Sequence, residues 1–171
     1  MRKLKANEIE VKVKKINEKG CLLLLYKTAR VDMQMLDEEY PGGWQCDYKT
    51  INGVLYCGIG VWGGKDMGWV WKWDCGIESR ADDEGNEKKG EASDAFKRSG
   101  FKWGIGRELY TAPFIWAKVD TVFIKESNKW ALKNPFQKFY VSEIGYNDNG
   151  EISKLTILDD KGNRIFNGHR E

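Results

Sequence analysis

Hydrophobic positions along the chain follow two periods, and the switches between them mark its elements. From Glu8 to Ile16, Ile9, Val11 and Val13 alternate with Lys12 and Lys14, which predicts a half-exposed strand. Cys21–Tyr26 predicts a short buried strand after a turn at Lys19-Gly20. The period then lengthens. Thr28–Tyr40 predicts a helix capped by Thr28, with Val31, Met35 and Leu36 as its apolar stripe, ended by Pro41-Gly42-Gly43. A three-strand meander follows: Trp44–Thr50, a turn at Asn52-Gly53, Val54–Trp62, a loop at Gly63–Gly68, and Trp69–Ile77. In the third strand Trp69, Trp71, Trp73, Cys75 and Ile77 share one face, and Val70, Lys72 and Asp74 share the other.

An acidic loop, Arg80–Glu87, leads into the clearest helical period, Gly90–Trp103. Ala92, Ala95, Phe96, Ser99 and Trp103 fall on one side of it, and Lys97, Arg98 and Lys102 on the remaining face. Past Pro113, Phe114–Glu126 predicts an extended strand and residues 127–138 a loop. Phe139–Tyr146 and Ile152–Asp159 predict a hairpin across Asn147-Asp148-Asn149-Gly150, and Arg164–Phe166 a last short strand. The expected fold class is α+β. Its antiparallel sheet, a β-β-β-α core, packs on one long helix, with an additional C-terminal β-hairpin. Residues 1–171 form a single domain, with a core at 8–116 and a β extension at 117–171.

Composition changes this picture in one respect, the placement of charge. The net charge of +2 is assembled from blocks: +6 over residues 1–30, −8 over 31–87, +4 over 88–118 and zero beyond. A nearly neutral chain built this way can still present a basic groove. The four cysteines, Cys21, Cys46, Cys57 and Cys75, are widely spaced, and the only histidine is His169. That excludes closely paired zinc ligands and any Ser-His or Cys-His relay, so buried free thiols and a non-enzymatic protein are expected. No acid pair stands out, since Asp82/Asp83 falls in the acidic loop. Gly104-Ile105-Gly106 follows a helix, whereas a dinucleotide loop opens one, and no phosphate-binding P-loop is present. No cofactor, metal or ATP is expected. The charged N-terminus and a longest aliphatic run of only Leu22–Leu25 predict neither a signal peptide nor a membrane span.

Two features bear on binding. Trp62, Trp69, Trp71 and Trp73 suit stacking on bases or on sugar rings, but their sharing of one strand face favours core packing beneath the helix. Lys97 and Arg98, on the outer helix face, suit phosphate neutralisation.

The segment Lys88–Tyr110 resembles the signature helix of the Rad-fifty-two superfamily of single-strand annealing proteins, in particular its phage (Sak-type) branch. The resemblance rests on Lys-Gly-Glu-Ala at 89–92, Asp94, Lys97-Arg98 and the Gly-Ile-Gly-Arg…Leu-Tyr ending. Ala29-Arg30-Val31 followed by Gly42-Gly43-Trp44 is similar to the family's first helix and its entry into the sheet, and Lys65-Asp66 to its hairpin loop. The resemblance implies ATP-independent binding of single-stranded DNA and annealing of complementary strands in recombination and repair. It also implies homo-oligomeric rings or arcs and a phage-encoded protein acting in the bacterial cytoplasm, without contact with a membrane. A single-strand-binding protein is admitted as a further partner. Carried over residue by residue, the groove cations fall on Arg30, Lys97 and Arg98. A further arginine falls on Phe101, with Lys102 as the neighbouring substitute, and an outer-site lysine falls on Lys65. Lys88, Lys89 and Lys72 complete the candidate phosphate contacts. Two other functions stay open: a non-annealing binder of single-stranded nucleic acid such as RNA, and a Trp-lined carbohydrate module.

Overall fold

Thr28 stands in extended backbone and its hydroxyl accepts the Val31 N–H, which starts helix α1 at Ala29–Glu39. The computed structural model describes residues 1–77 and 87–169. The expected acidic loop, with Asp82 and Asp83, lies almost wholly outside the described residues. The chain divides into two compact units, one of residues 1–2 with Thr28–Gly106, the other of Lys3–Lys27 with Arg107 onward.

In the first unit, strands β3 (Trp44–Ile51), β4 (Val54–Trp62) and β5 (Trp69–Cys75) form an antiparallel sheet in that order. Helix α2 (Glu87–Lys102) packs on β4 and β5, and α1 packs on α2. Cys57, Ile59 and Val61 point toward α2 from alternate positions of β4 and are buried, as are Ala95 and Phe96 of α2 and Met35 and Leu36 of α1. Each large side chain buried here contributes about 1.5–3 kcal/mol. The Phe96 ring meets Trp44 edge to face at 6.1 Å. Burial pushes the Cys57 thiol up to about 12. Cys46, by contrast, is exposed, so the expectation of buried thiols does not extend to it.

In the second unit, β1 (Glu10–Asn17) and β2 (Gly20–Tyr26) pair as a hairpin. They join β6 (Ile115–Ala117), β9 (Phe139–Tyr146), β10 (Ile152–Asp159) and β11 (Arg164–His169) in a six-stranded sheet ordered β11-β10-β9-β1-β2-β6. β11 and β6, at the two ends of that order, approach each other, so the sheet nearly closes on itself like a barrel. Leu23, Ile115, Leu155 and Ile157 fill its interior. Burial likewise raises the Cys21 thiol to about 11. β7 (Thr121–Ile124) and β8 (Lys129–Leu132) form a separate two-stranded ribbon.

The expected fold class is therefore corrected. The chain is mostly β, with eleven strands in three sheets among the described residues, and its two helices are short, at 11 and 16 residues. It is not an α+β core packed on one long helix with an added C-terminal β-hairpin. The reason lies in pairing partners. Glu10 of β1 pairs with Tyr140 of β9, so the expected C-terminal appendage supplies three of the six strands of the larger sheet. Alternation along a strand identifies the strand but not its neighbour. Phe114–Glu126 is likewise not one strand but two, and the expected loop at 127–138 contains β8. Asn128, at φ 53°, lies in the turn between β7 and β8.

Candidate nucleic-acid interface

The face of β5 that α2 covers is the one carrying Val70, Lys72 and Asp74. Lys72 pairs in register with Ile59 and Asp74 with Cys57, and paired residues share a side of the sheet. Ser99 of α2, fully buried, reaches into this register. Its hydroxyl accepts the Ile59 N–H at 3.2 Å and donates to the Lys72 carbonyl at 2.6 Å, and the Trp103 indole N–H donates to the Ile59 carbonyl at 3.0 Å. One hydroxyl thus ties the helix to two strands. A Ser99→Ala variant is expected to lose about 1–3 kcal/mol of stability, because the buried Ile59 N–H and the part-buried Lys72 carbonyl lose their partner. Urea unfolding checks this, and an unchanged midpoint would show that the strands rejoin without the hydroxyl.

Two candidate cations converge on Asp74. Arg98 Nε lies 3.4 Å from its Oδ1, and Lys102 Nζ lies 3.6 Å from its Oδ2. Positions 98 and 102 are one helical turn apart, which sets both side chains over the same stretch of strand. The Lys102 ammonium also donates to the Trp73 carbonyl. The third candidate here, Lys72, donates to the Lys102 carbonyl at 3.1 Å and sits 4.1 Å over the Trp103 ring. It therefore serves the C-terminal end of α2, where a cation meets the unpaired carbonyls and the negative end of the helix dipole. Lys97 pairs with Asp94 one turn back, at 3.7 Å. Asp94 also accepts the Ile77 N–H, and Glu91 accepts the Leu55 N–H, so the acids of α2 tether strand ends.

The remaining candidates do not join this cluster. Lys88 and Lys89 are exposed in the first turn of α2, about 15 Å along the helix axis from Arg98 at 1.5 Å per residue. Lys65 is exposed in the β4–β5 hairpin, beyond the Trp62–Trp69 pair, and that pair lies five strand positions, about 16 Å, from Asp74. Arg30 is exposed in the first turn of α1. Phe101 is half-buried on α2.

The tryptophans occupy the other side of the sheet. Trp69, Trp71 and Trp73 pair with Trp62, Gly60 and Gly58, facing away from α2, which corrects the expectation that they pack beneath the helix. Trp62 and Trp69 are 47% and 40% exposed, and Trp71 and Trp73 half-buried. The signal that separates the two faces was present in β4, where glycine at 58 and 60 alternates with buried Cys57, Ile59 and Val61.

Among the described residues no helix is long and apolar enough to cross a membrane, and no three or more His, Cys, Asp or Glu side chains are grouped to hold a metal ion. Comparison of the chain with protein-family models, with curated proteins and with solved structures gives no match.

Proposed function

We propose that this protein binds single-stranded DNA along the basic face of α2 and anneals complementary strands without ATP. The observation that carries the reading is the convergence of Arg98 and Lys102 on one carboxylate at the edge strand β5. Two cations held 3.4–3.6 Å from an anionic group form a preset anion site, in which Asp74 stands where a phosphate oxygen would bind. Lys97, Lys72, Lys88 and Lys89 extend positive charge along the same helix and strand. The sequence likeness of residues 88–110 to the single-strand annealing superfamily supports DNA as the polyanion, and support for that likeness rests on the motif residues, not on the fold. Neutralising phosphates removes the repulsion between two strands and releases counterions, so pairing speeds up with no covalent step. In this reading the protein is a recombination factor of phage origin that assembles into rings or arcs in bacterial cytoplasm.

The test is annealing of complementary oligonucleotides in the absence of ATP and magnesium. Pairing is expected to be at least tenfold faster with the protein than without it. No acceleration, together with a monomer by mass photometry with and without DNA, would remove the reading. Preference for an RNA strand of the same sequence would replace it with RNA binding.

A further inference from the structure

We infer that the open tryptophan face of the three-stranded sheet is a stacking platform for the bases of an extended single strand, resting on the DNA-binding reading above. The first observation is how the indoles lie. A Cβ added at Gly58 would meet three Trp73 ring atoms at 2.4–2.6 Å, and one at Gly60 would meet three Trp71 ring atoms at 2.8–2.9 Å. Near-equal distances to several ring atoms mean that each ring lies broadside over its glycine. The two glycines admit this close approach, and any side chain there would lift the rings off the sheet. The outer faces of the rings are thereby turned away from the backbone.

The second observation is spacing. Neighbouring ring centroids from Trp62 through Trp69 and Trp71 to Trp73 are 5.6, 6.5 and 5.7 Å apart, with Trp71 and Trp73 inclined by only 24°. This is nearly twice the roughly 3.4 Å rise per nucleotide of a duplex strand. One base on each of Trp62, Trp69 and Trp71 therefore requires a strand stretched to almost double its duplex length, the state in which its bases are unstacked from each other and need another surface.

The third observation is where the charge sits. The Lys49 ammonium stands 4.4 Å over the Trp73 ring, and Lys102 reaches the Trp73 carbonyl from the helix side. β5 is an edge strand, so the cations that α2 brings to one of its faces and the rings on the other, where Lys49 is paired with Asp47 at 3.6 Å, suit a chain whose phosphates follow that edge and whose bases turn onto the tryptophans. The exposed polar row Gln45, Asp47 and Lys49 of β3 shares this face and interrupts its apolar area, which fits a nucleic acid better than a second copy of the chain.

Equilibrium binding of oligo-dT is compared with that of an equal-length strand of abasic deoxyribose phosphates, using the full chain and a Trp62→Ala/Trp69→Ala variant, with Trp69→Ala alone as the substitute if circular dichroism shows the double variant unfolded. The intact protein is expected to prefer oligo-dT by at least tenfold, with quenching of tryptophan fluorescence. The variant is expected to lose most of that preference while keeping its affinity for the abasic strand. Equal binding of both strands by the intact protein, or a variant that keeps the preference, overturns the platform and leaves phosphate binding standing. Binding of neither strand overturns the DNA reading, and the platform with it. Salt-insensitive binding of a β-linked glucose oligosaccharide, quenching the same tryptophans, would assign the face to sugar instead.

Discussion

A Lys97→Ala/Arg98→Ala variant is expected to bind oligo-dT about 10–100-fold more weakly than the unaltered chain and to show a salt dependence shallower by about 1.4 in log–log slope. The slope follows from counterion release, about 0.7 per phosphate contact on a single strand, with two contacts removed. The affinity loss follows from the same contacts, each a charge-assisted pair at a partly exposed site. Folding should survive. The partners lost are Asp94, 34% exposed beside Lys97, and Asp74, beside an Arg98 that is itself 47% exposed, and ion pairs this open contribute about 0–1 kcal/mol. Titrations from low to moderate salt decide the matter. An unchanged slope in a folded variant would move the phosphate contacts away from Lys97 and Arg98, to the first turn of α2 at Lys88 and Lys89 or to the basic stretch before Arg30.

The sequence makes local structure legible and leaves partnership hidden. The boundaries of β4, β9 and β10 are readable because each is a β-branched and aromatic-rich run set off by strong turn residues, Asn52-Gly53 before β4 and Asn147–Gly150 between the others. The α2 stripe is readable because Ala95, Phe96 and Ser99 recur at helical spacing and are buried together. The joining of β1 to β9 is not readable, since Glu10 and Tyr140 are 130 residues apart and nothing local marks them as neighbours. The short β7 and β8 carry too few residues for an alternating signal to stand out.

The candidate site divides in the same way. That Arg98 and Lys102 share a helix face follows from their spacing of four, but their meeting with Asp74 depends on which face of β5 the helix covers. A strand with tryptophan on one side and Val-Lys-Asp on the other suggests the apolar side as the buried one. The structure buries the mixed side, because the Lys72 ammonium lies over the Trp103 ring and donates to the end of α2, while Ser99 satisfies the buried Ile59 N–H and the Lys72 carbonyl. Polar groups with partners can line a helix–sheet contact, and large rings can be left outside it when glycines give them a floor.

Asp74 supplies the sharper test, because it separates a binding role for the cation cluster from a merely structural one. An Asp74→Asn variant keeps the side-chain oxygen that accepts the Cys75 N–H at 2.9 Å, and it removes the negative charge shared by Arg98 and Lys102. If the cluster serves only to fasten α2 to β5, the substitution should lower stability and change nothing else. If the cluster binds phosphate, Asp74 competes with DNA for the same two cations, and its neutralisation releases both. Affinity for oligo-dT is then expected to rise about three- to tenfold, or roughly 0.7–1.4 kcal/mol. The salt dependence should steepen by about 0.7, as an internal counterion is exchanged for one phosphate of a single strand. Stability should fall by about 0.5–1 kcal/mol, since Arg98, Lys102 and Lys72 then repel one another without a shared anion. The two shifts run in opposite directions and are read on one preparation, by urea unfolding and by equilibrium binding across a salt series. Weaker binding in a folded Asp74→Asn protein would mean that the carboxylate positions the cations instead of occupying their site. The phosphate would then bind only to cations that Asp74 holds in place, and the preset anion site would have to be redrawn with Asp74 as part of its wall.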